Sequence, residues 1–302
     1  MSTLTSQEMS DLLYPGLHAV FVADIKERPM PFQAWMNMLN TKRYSEEDFE
    51  ATALGPFAEK RRGRPIQYDQ PERVGTKTYI PKTYALGYRV ERELVEDDQY
   101  NVIKRYPKML GASANHTLNI IGHYPLNRAF TAGYTGTDGI ILCATNHPMK
   151  KAVGNTQANI SSTTQEFSRT VLQSILVAMR KWKTHENRPA QLKPVAIICG
   201  PDLVPEVWDA IGNPKVPESN ANARNWVNTQ SLTIHETDWL AGTKWYFVIC
   251  GKSEHQLNFF WRIKLAFEND THFDMDDMRY KGRFRACADF TRWQGVWGEN
   301  PS

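Results

Sequence analysis

Between Asp97 and Pro148 the chain spells out one long helix followed by a turn-rich descent, and the rest must pack around it. Asp97-Asp98 suit a first helical turn, where exposed amides favour negative charge. Val102, Ile103, Tyr106, Leu110, Ala114, Leu118 and Ile121 then recur at the spacing of a single helical face. Pro107 predicts a kink or restart, and Tyr124-Pro125 a bend or an end. Gly111, Ala112, Ser113 and Ala114 form a slim waist that another element can approach closely. Thr131 to Thr137, rich in Gly and Thr, reads as a flexible turn. Asp138-Gly139 turns the chain, Ile140 to Cys143 reads as a short apolar strand, and Ala144 to Pro148 as a polar bend.

The length of 302 residues suits one large domain or two smaller ones that share strands. A hydrophobic content of 41% with nine tryptophans supplies a real core and excludes global disorder. A net charge of +3 argues against a dedicated nucleic-acid binder, which would carry a strong basic excess. Cys143, Cys199 and Cys250 each end an apolar run, and no pair including Cys287 has metal-ligand spacing. Reduced structural thiols and synthesis without export are therefore expected; no signal pattern opens the chain and no apolar run could span a bilayer.

Taken in order, residues 1–60 read as an arm. Ser6–Leu13 and Leu17–Ile25 are two short helices split at Tyr14-Pro15-Gly16. Phe32, Trp35, Met36 and Leu39 share helical spacing, and pack either on the chain's own body or along a neighbour. Ser45-Glu46-Glu47-Asp48 reads as a further helix start. Residues 60–89 carry eight basic and two acidic side chains among glycines, prolines and strand formers, a two-sided polar hairpin with little to bury alone. The run Lys60-Arg61-Arg62-Gly63-Arg64 is a solvated face or, less simply, a nucleic-acid patch.

Thr163 to Glu166 has capping-box spacing, and Phe167, Val171, Ile175, Ala178 or Met179, and Trp182 follow on one helical face. Val195–Cys199 is a buried strand turned by Gly200-Pro201, and Asp202 caps a helix through Ala210 closed by Gly212. Residues 213–230, rich in asparagine, form a long polar loop of the functional or mobile kind. Strands are expected at Thr233–Thr237, Trp245–Cys250, Leu257–Ile263 and Met278–Phe290, with an acidic connector from Glu268 to Asp277.

Candidate chemistry is thin. His147 after Asn146 invites a metal-dependent hydrolase or nuclease reading, but metal needs three or four convergent ligands. His116 and His123 share a helix face without a third ligand, and Asp274, Asp276 and Asp277 lack the glycine and closing acid of a calcium loop. There is no phosphate cradle and no nucleophile elbow. No catalytic residue, cofactor or metal is assigned.

The order of these parts is what carries a family likeness. The strand Tyr84 to Val90 feeds the acid-started helix; the Gly-rich turn, Asp138-Gly139, the apolar run and His147-Pro148 follow. This resembles the major capsid proteins of tailed bacteriophages, and more narrowly the Mu-like major head subunit group, over roughly residues 15–300. The resemblance implies an α+β fold of the Hong Kong 97 type. Its parts would be an N-terminal arm (1–60), an extended loop hairpin (61–90), a peripheral domain with a long spine helix (91–138 and 252–289) and an axial domain (139–251 and 290–302).

It also implies a structural protein, assembled in the host cytoplasm into pentamers and hexamers of a virion shell around double-stranded DNA. The expected partners are further copies of itself, a portal protein, a separate scaffold or cement protein, and DNA held non-specifically; no membrane is involved. Because the extended loop crosses a neighbour's peripheral domain in such shells, Arg61, Arg62, Arg64 and Arg73 are expected to meet Asp274, Asp276 and Asp277 of the adjacent copy. Some relatives crosslink a loop lysine, for which Lys77 and Lys82 lie in the right segment. The nearest rival of the same fold is an encapsulin-type compartment.

Overall fold

The structure is a computed structural model that describes residues 6–63, 65–91, 93–94, 102–151, 154–215, 224–272 and 277–301. Helix α1 (Ser6–Glu27) is continuous and runs through Pro15, so the expected break at Tyr14-Pro15-Gly16 does not occur. A proline inside a helix costs about 3 kcal/mol, and tertiary packing offsets it. Leu17 and Phe21 are buried, Phe21 lies against Phe267 at 5.0 Å between ring centroids, and the Tyr14 hydroxyl donates to the Phe267 carbonyl at 2.8 Å.

A short 3-10 turn (Pro31–Ala34) follows, then strand β1 (Asn37–Asn40). Phe32, Trp35 and Met36 are buried in the chain's own core and Leu39 is exposed, so the anchors serve this subunit's body. Where a helix start was expected at Ser45, the chain instead forms strand β2 (Glu46–Ala51). Strand β3 (Arg73–Tyr79) pairs with β2, while β4 (Lys82–Glu91) pairs elsewhere; the two extended runs of residues 60–90 do not form a hairpin with each other.

Helix α2 (Arg105–Asn127) is the long helix. Pro107 sits in its first turn, where no intrahelical amide is needed, and Pro125 falls in its last. The expected start at Asp97-Asp98 lies outside the described residues. The waist works as read: a Cβ on Gly111 would stand 2.5 Å from the Asp24 carboxylate of α1. Beyond α2, Ile140–Cys143 is not a strand but a series of turns with one bridge, Thr135 to Ile141. The two-residue strands β5 (His147–Pro148) and β6 (Thr156–Gln157) pair with each other.

Helix α3 (Arg169–Arg180) is capped by Ser168, whose Oγ accepts the Val171 amide at 3.2 Å, rather than by Thr163. Leu172, Ile175, Leu176 and Met179 form its buried stripe. Strand β7 (Pro194–Cys199), a 3-10 turn (Pro201–Leu203) and helix α4 (Val204–Gly212) match the expected order. Asparagines of the following loop close α4. The Asn225 amide donates to the Ala210 and Asn213 carbonyls at 2.7 and 2.8 Å, and that of Asn228 to Ile211 at 2.8 Å.

Strands β8 (Thr233–Glu236), β9 (Tyr246–Cys250), β10 (Leu257–His272), β11 (Asp277–Phe290) and β12 (Val296–Glu299) complete the chain. Glu268 to His272 continue β10 and Asp277 opens β11, so the expected acidic connector is mostly the end of one long hairpin. The long sheet has the order β1-β10-β11-β4 and the second sheet β12-β9-β7-β8. α1 and α2 cover the far end of the long sheet through Phe21, Leu110, Phe267 and Tyr280. A larger core joins the second sheet, α3, α4 and the near end of α2.

Candidate assembly surfaces

The described segment most plainly built for something outside the chain is the loop between β2 and β3. Residues 52–72 carry no helix or strand among those described. Their neck is closed by Thr52: its amide donates to the Glu72 carbonyl at 2.8 Å, and its Oγ1 accepts the Glu72 amide at 2.9 Å. Beyond it, Leu54, Phe57, Ile66 and Tyr68 are exposed, Phe57 fully, beside exposed Lys60, Arg61 and Arg62. Single exposed apolar side chains are ordinary on any surface, but four within one loop rimmed by charge mark a surface for something else to cover. One tie returns to the body: Asp69 accepts the Gly55 amide at 2.6 Å and Lys151 at 3.1 Å, and these bonds hold its carboxyl below the usual range.

The root of the loop is anchored as firmly as its tip is bare. Lys77 Nζ lies 2.7 Å from Asp289 and donates to the Thr135 carbonyl at 2.8 Å. Asn258 donates to the Tyr79 hydroxyl at 3.3 Å, Tyr79 lies 2.6 Å from Thr291 Oγ1, and Thr291 donates to Asp48 at 2.7 Å. Because the Thr291 hydrogen is given to Asp48, Tyr79 is the donor to Thr291, and the chain of bonds runs one way. Glu50 accepts from Thr137 and faces His185 at 3.3 Å. Burial pushes the Glu50 carboxyl up, but the bonds to His185 and Thr137 outweigh it and hold the group below its ordinary value. Gly75 makes the approach possible, since a Cβ there would meet the Thr137 carbonyl oxygen at 1.8 Å.

The residues expected to join loop to neighbour are spread apart within one chain. Arg61 and Arg62 are exposed at the loop tip. Arg73 is exposed and donates to Thr76. Asp277 is buried and already faces Arg89 at 3.9 Å and Arg279 at 3.8 Å. Arg64, Asp274 and Asp276 lie outside the described residues. The exposed apolar set at the tip was not singled out from sequence; its signal was Leu54, Phe57, Ile66 and Tyr68 standing among prolines and glycines with no helical or strand period.

The histidines serve the fold. His147 is buried, with Nδ1 2.6 Å from Asp138, Nε2 3.0 Å from Asn159 and its ring stacked on Trp293 at 4.4 Å. Such a His–Asp pair looks catalytic in isolation, but both ring nitrogens are occupied and no face reaches solvent. It is a buried brace rather than the polar turn expected. His123 bonds the Asn119 carbonyl and Thr237 Oγ1, and burial lowers its pKa to about 4. Among the described residues no three His, Cys, Asp or Glu side chains converge to hold a metal, and no helix is long and apolar enough to cross a membrane.

Comparison with known proteins supplies the class. The phage capsid protein family matches residues 74–297, most of the chain, and the chain belongs to that family. It is a major capsid protein that forms the head shell, a structural component of the virion rather than an enzyme. The structure is similar to the procapsid of bacteriophage JBD30, at 14% identity and a TM-score of 0.54, over 97% of this chain and 75% of that one. It is also similar to the capsid of a native GTA particle, at 9% identity and a TM-score of 0.58, over 90% of both chains. A virus-like particle from Pyrococcus furiosus shares the fold as well, at 8% identity and a TM-score of 0.56, over 94% of this chain and 98% of that one. The curated proteins contain no match.

Proposed function

We propose that this chain is the repeating tile of a tailed-phage or prophage head of the Mu-like group, closing with copies of itself as pentamers and hexamers around double-stranded DNA. The observation that carries this reading is the loop of residues 52–72, rooted by buried bonds yet covering nothing of its own subunit with Leu54, Phe57 and Tyr68. A neighbouring copy is its natural cover. α2 with β10 and β11 acts as the peripheral domain (91–138 and 252–289), on which α1 and β1 of the arm and β4 of the loop segment pack, and the second sheet with α3 and α4 acts as the axial domain (139–251 and 290–302). Residues 1–60 and 61–90 act as arm and extended loop, and the paired strands β2 and β3 extend that loop's root back to Glu46. Assembly takes place in the bacterial cytoplasm with a portal and a separate scaffold or cement protein, and the packaged DNA is contacted non-specifically.

At the loop tip, Arg61, Arg62 and Arg64 reach the neighbour's Asp274 and Asp276. Arg73 and Asp277 play smaller parts, because Thr76 and the pair Arg89 and Arg279 already engage them in their own chain. Each exposed pair contributes only about 0–1 kcal/mol, but every subunit repeats it. Expression of the full chain followed by electron microscopy tests the reading: closed shells are expected, and a monomer at high concentration would overturn it. The likeness to the Pyrococcus furiosus particle keeps an encapsulin-type compartment as the second reading. Nuclease-protected DNA in native particles decides for the head, and an enclosed enzyme for the compartment.

A further inference from the structure

The second sheet carries opposite charge at its two edges, and each charged stretch frames an exposed apolar side chain. At the β8 edge, α4 exposes Asp202, Glu206 and Asp209 at i, i+4 and i+7, one stripe with its preceding turn. Glu236 and Asp238 at the end of β8 are exposed beside it. Trp208 stands among them at 55% exposure, its indole N–H held by Glu236 at 3.2 Å. Lys215 and Arg224 lie beyond the helix C-terminus, bridged to each other along the backbone.

The other edge reverses this. Trp182, just past α3, packs against Trp293 and against Trp297 of β12, placing the C-terminal end of α3 at the β12 edge. There Arg180, Lys181 and Lys183 are exposed, with Lys150 joined through its amide to His185. Thr170, Ser174, Val177 and Lys181, at i, i+4, i+7 and i+11, form the exposed stripe of α3, and Val177 is 43% exposed. Glu186, the acid of that turn, keeps its side chain only 4% exposed and does not neutralise the surface.

α3 and α4 touch over the sheet, but Trp182 puts the basic end of α3 at the β12 edge, three strand spacings or about 14 Å from β8, so within one subunit these charged ends do not pair. Two copies can. A surface that complements a different surface of the same molecule makes a head-to-tail contact, and such contacts generate rings when the rotation closes. A partly exposed Trp ringed by charge is also the composition of an interface anchor.

We propose that the α4 and β8 face of one copy, centred on Trp208, docks on the α3 face of the next copy, centred on Val177, with Asp202, Glu206 and Asp209 opposite Arg180, Lys181 and Lys183. The occupant of each face is a second copy of this chain. This inference rests on the capsid-tile reading and adds the ring contact to it; the loop of residues 52–72 is not involved.

The test uses the full-length chain and two reversed variants. One carries Asp202→Lys, Glu206→Lys and Asp209→Lys; the other carries Arg180→Glu, Lys181→Glu and Lys183→Glu. All six sites are exposed, and thermal melting checks that each variant is folded. Sedimentation velocity is expected to show loss of rings and shells for each variant alone, and their return in a chain that carries all six changes, where every reversed face meets a reversed face. If a reversed variant melts below the wild type, Trp208→Ser, which changes no charge, takes its place and is expected to lose assembly. Wild-type assembly with folded variants that assemble equally well overturns the ring contact and leaves the tile reading standing. A chain with all six changes that is folded yet stays unassembled also overturns it. A wild-type chain that never assembles overturns the tile reading and this inference with it.

Discussion

Gly75 lies so close to Thr137 that a Cβ on it would stand 1.8 Å from the Thr137 carbonyl oxygen. The contact locks strand β3 onto the turn after α2, and with it the direction in which the loop leaves the body. Gly75→Ala must push the two backbones apart, so a cost of about 1–3 kcal/mol is expected, the usual range for overpacking. A lowered melting temperature together with lost assembly checks this; an unchanged melting temperature refutes it.

The Tyr79 hydroxyl links Asn258 to Thr291 and through it to Asp48. Tyr79→Phe keeps the ring and removes the middle of the chain of bonds, leaving the buried Asn258 amide only its longer bond to Thr291 at 3.4 Å. A loss of about 1–2 kcal/mol in denaturant unfolding is expected. Asp48→Asn keeps an oxygen that can accept from Thr291, and its effect is expected to be smaller.

These root contacts explain which parts of the fold were legible from sequence. Helix α3 and strands β7 and β9 were, because their apolar period or run is set by the core they face. Strand β2 was not: Glu46, Glu47 and Asp48 look like a helix start, yet Asp48 is held by Thr291 and Glu50 by Thr137 and His185, partners far along the chain. The unbroken α1 was hidden for the same reason, since Phe267 holds both sides of Pro15. Of the assembly surfaces, the basic run Lys60 to Arg64 was visible, but the pairing of Asp277 with Arg89 required β4 to lie along β11, strands far apart in sequence.

Burial lowers the pKa of His123 to about 4, and does the same to His255 with Lys252 adding to it. Between about 6.5 and 4 the unfolded chain binds protons that the folded chain refuses, so stability rises with pH there. Full stability from these groups is present above about pH 6.5 and is lost as pH falls toward 4. Each contributes a slope of up to about 1.4 kcal/mol per pH unit. Unfolding free energies measured from pH 7 to pH 4.5 check this, and His123→Gln is expected to flatten the slope.

Cys143, Cys199 and Cys250 are buried, and Cys287 is half-buried. Burial pushes the thiols of Cys199, Cys250 and Cys287 up to about 12 and that of Cys143 up as well. Thiols so far from ionisation react slowly. Intact particles treated briefly with a thiol reagent are expected to gain no label on Cys143, Cys199 or Cys250, as read by mass spectrometry. Reducing and non-reducing gels of freshly alkylated particles are expected to agree, and a ladder of disulfide-linked multimers would overturn a purely structural role.

The loop tip offers the sharpest separation between folding and assembly. Phe57 is fully exposed and Tyr68 nearly so, in a segment whose neck is closed behind them by Thr52 and Glu72. Neither ring adds to the core of its own subunit, so Phe57→Ser with Tyr68→Ser is expected to shift the unfolding free energy by no more than about 0.5 kcal/mol. Covering each ring with a neighbour is worth about 1.5–3 kcal/mol, and that gain recurs at every subunit of a shell. The double variant is therefore expected to melt like the wild type and to remain as free subunits or open fragments in sedimentation. Restoring Phe57 alone is expected to recover part of the assembly. Wild-type yields of closed shells from the double variant would show that the loop does not bind through these side chains.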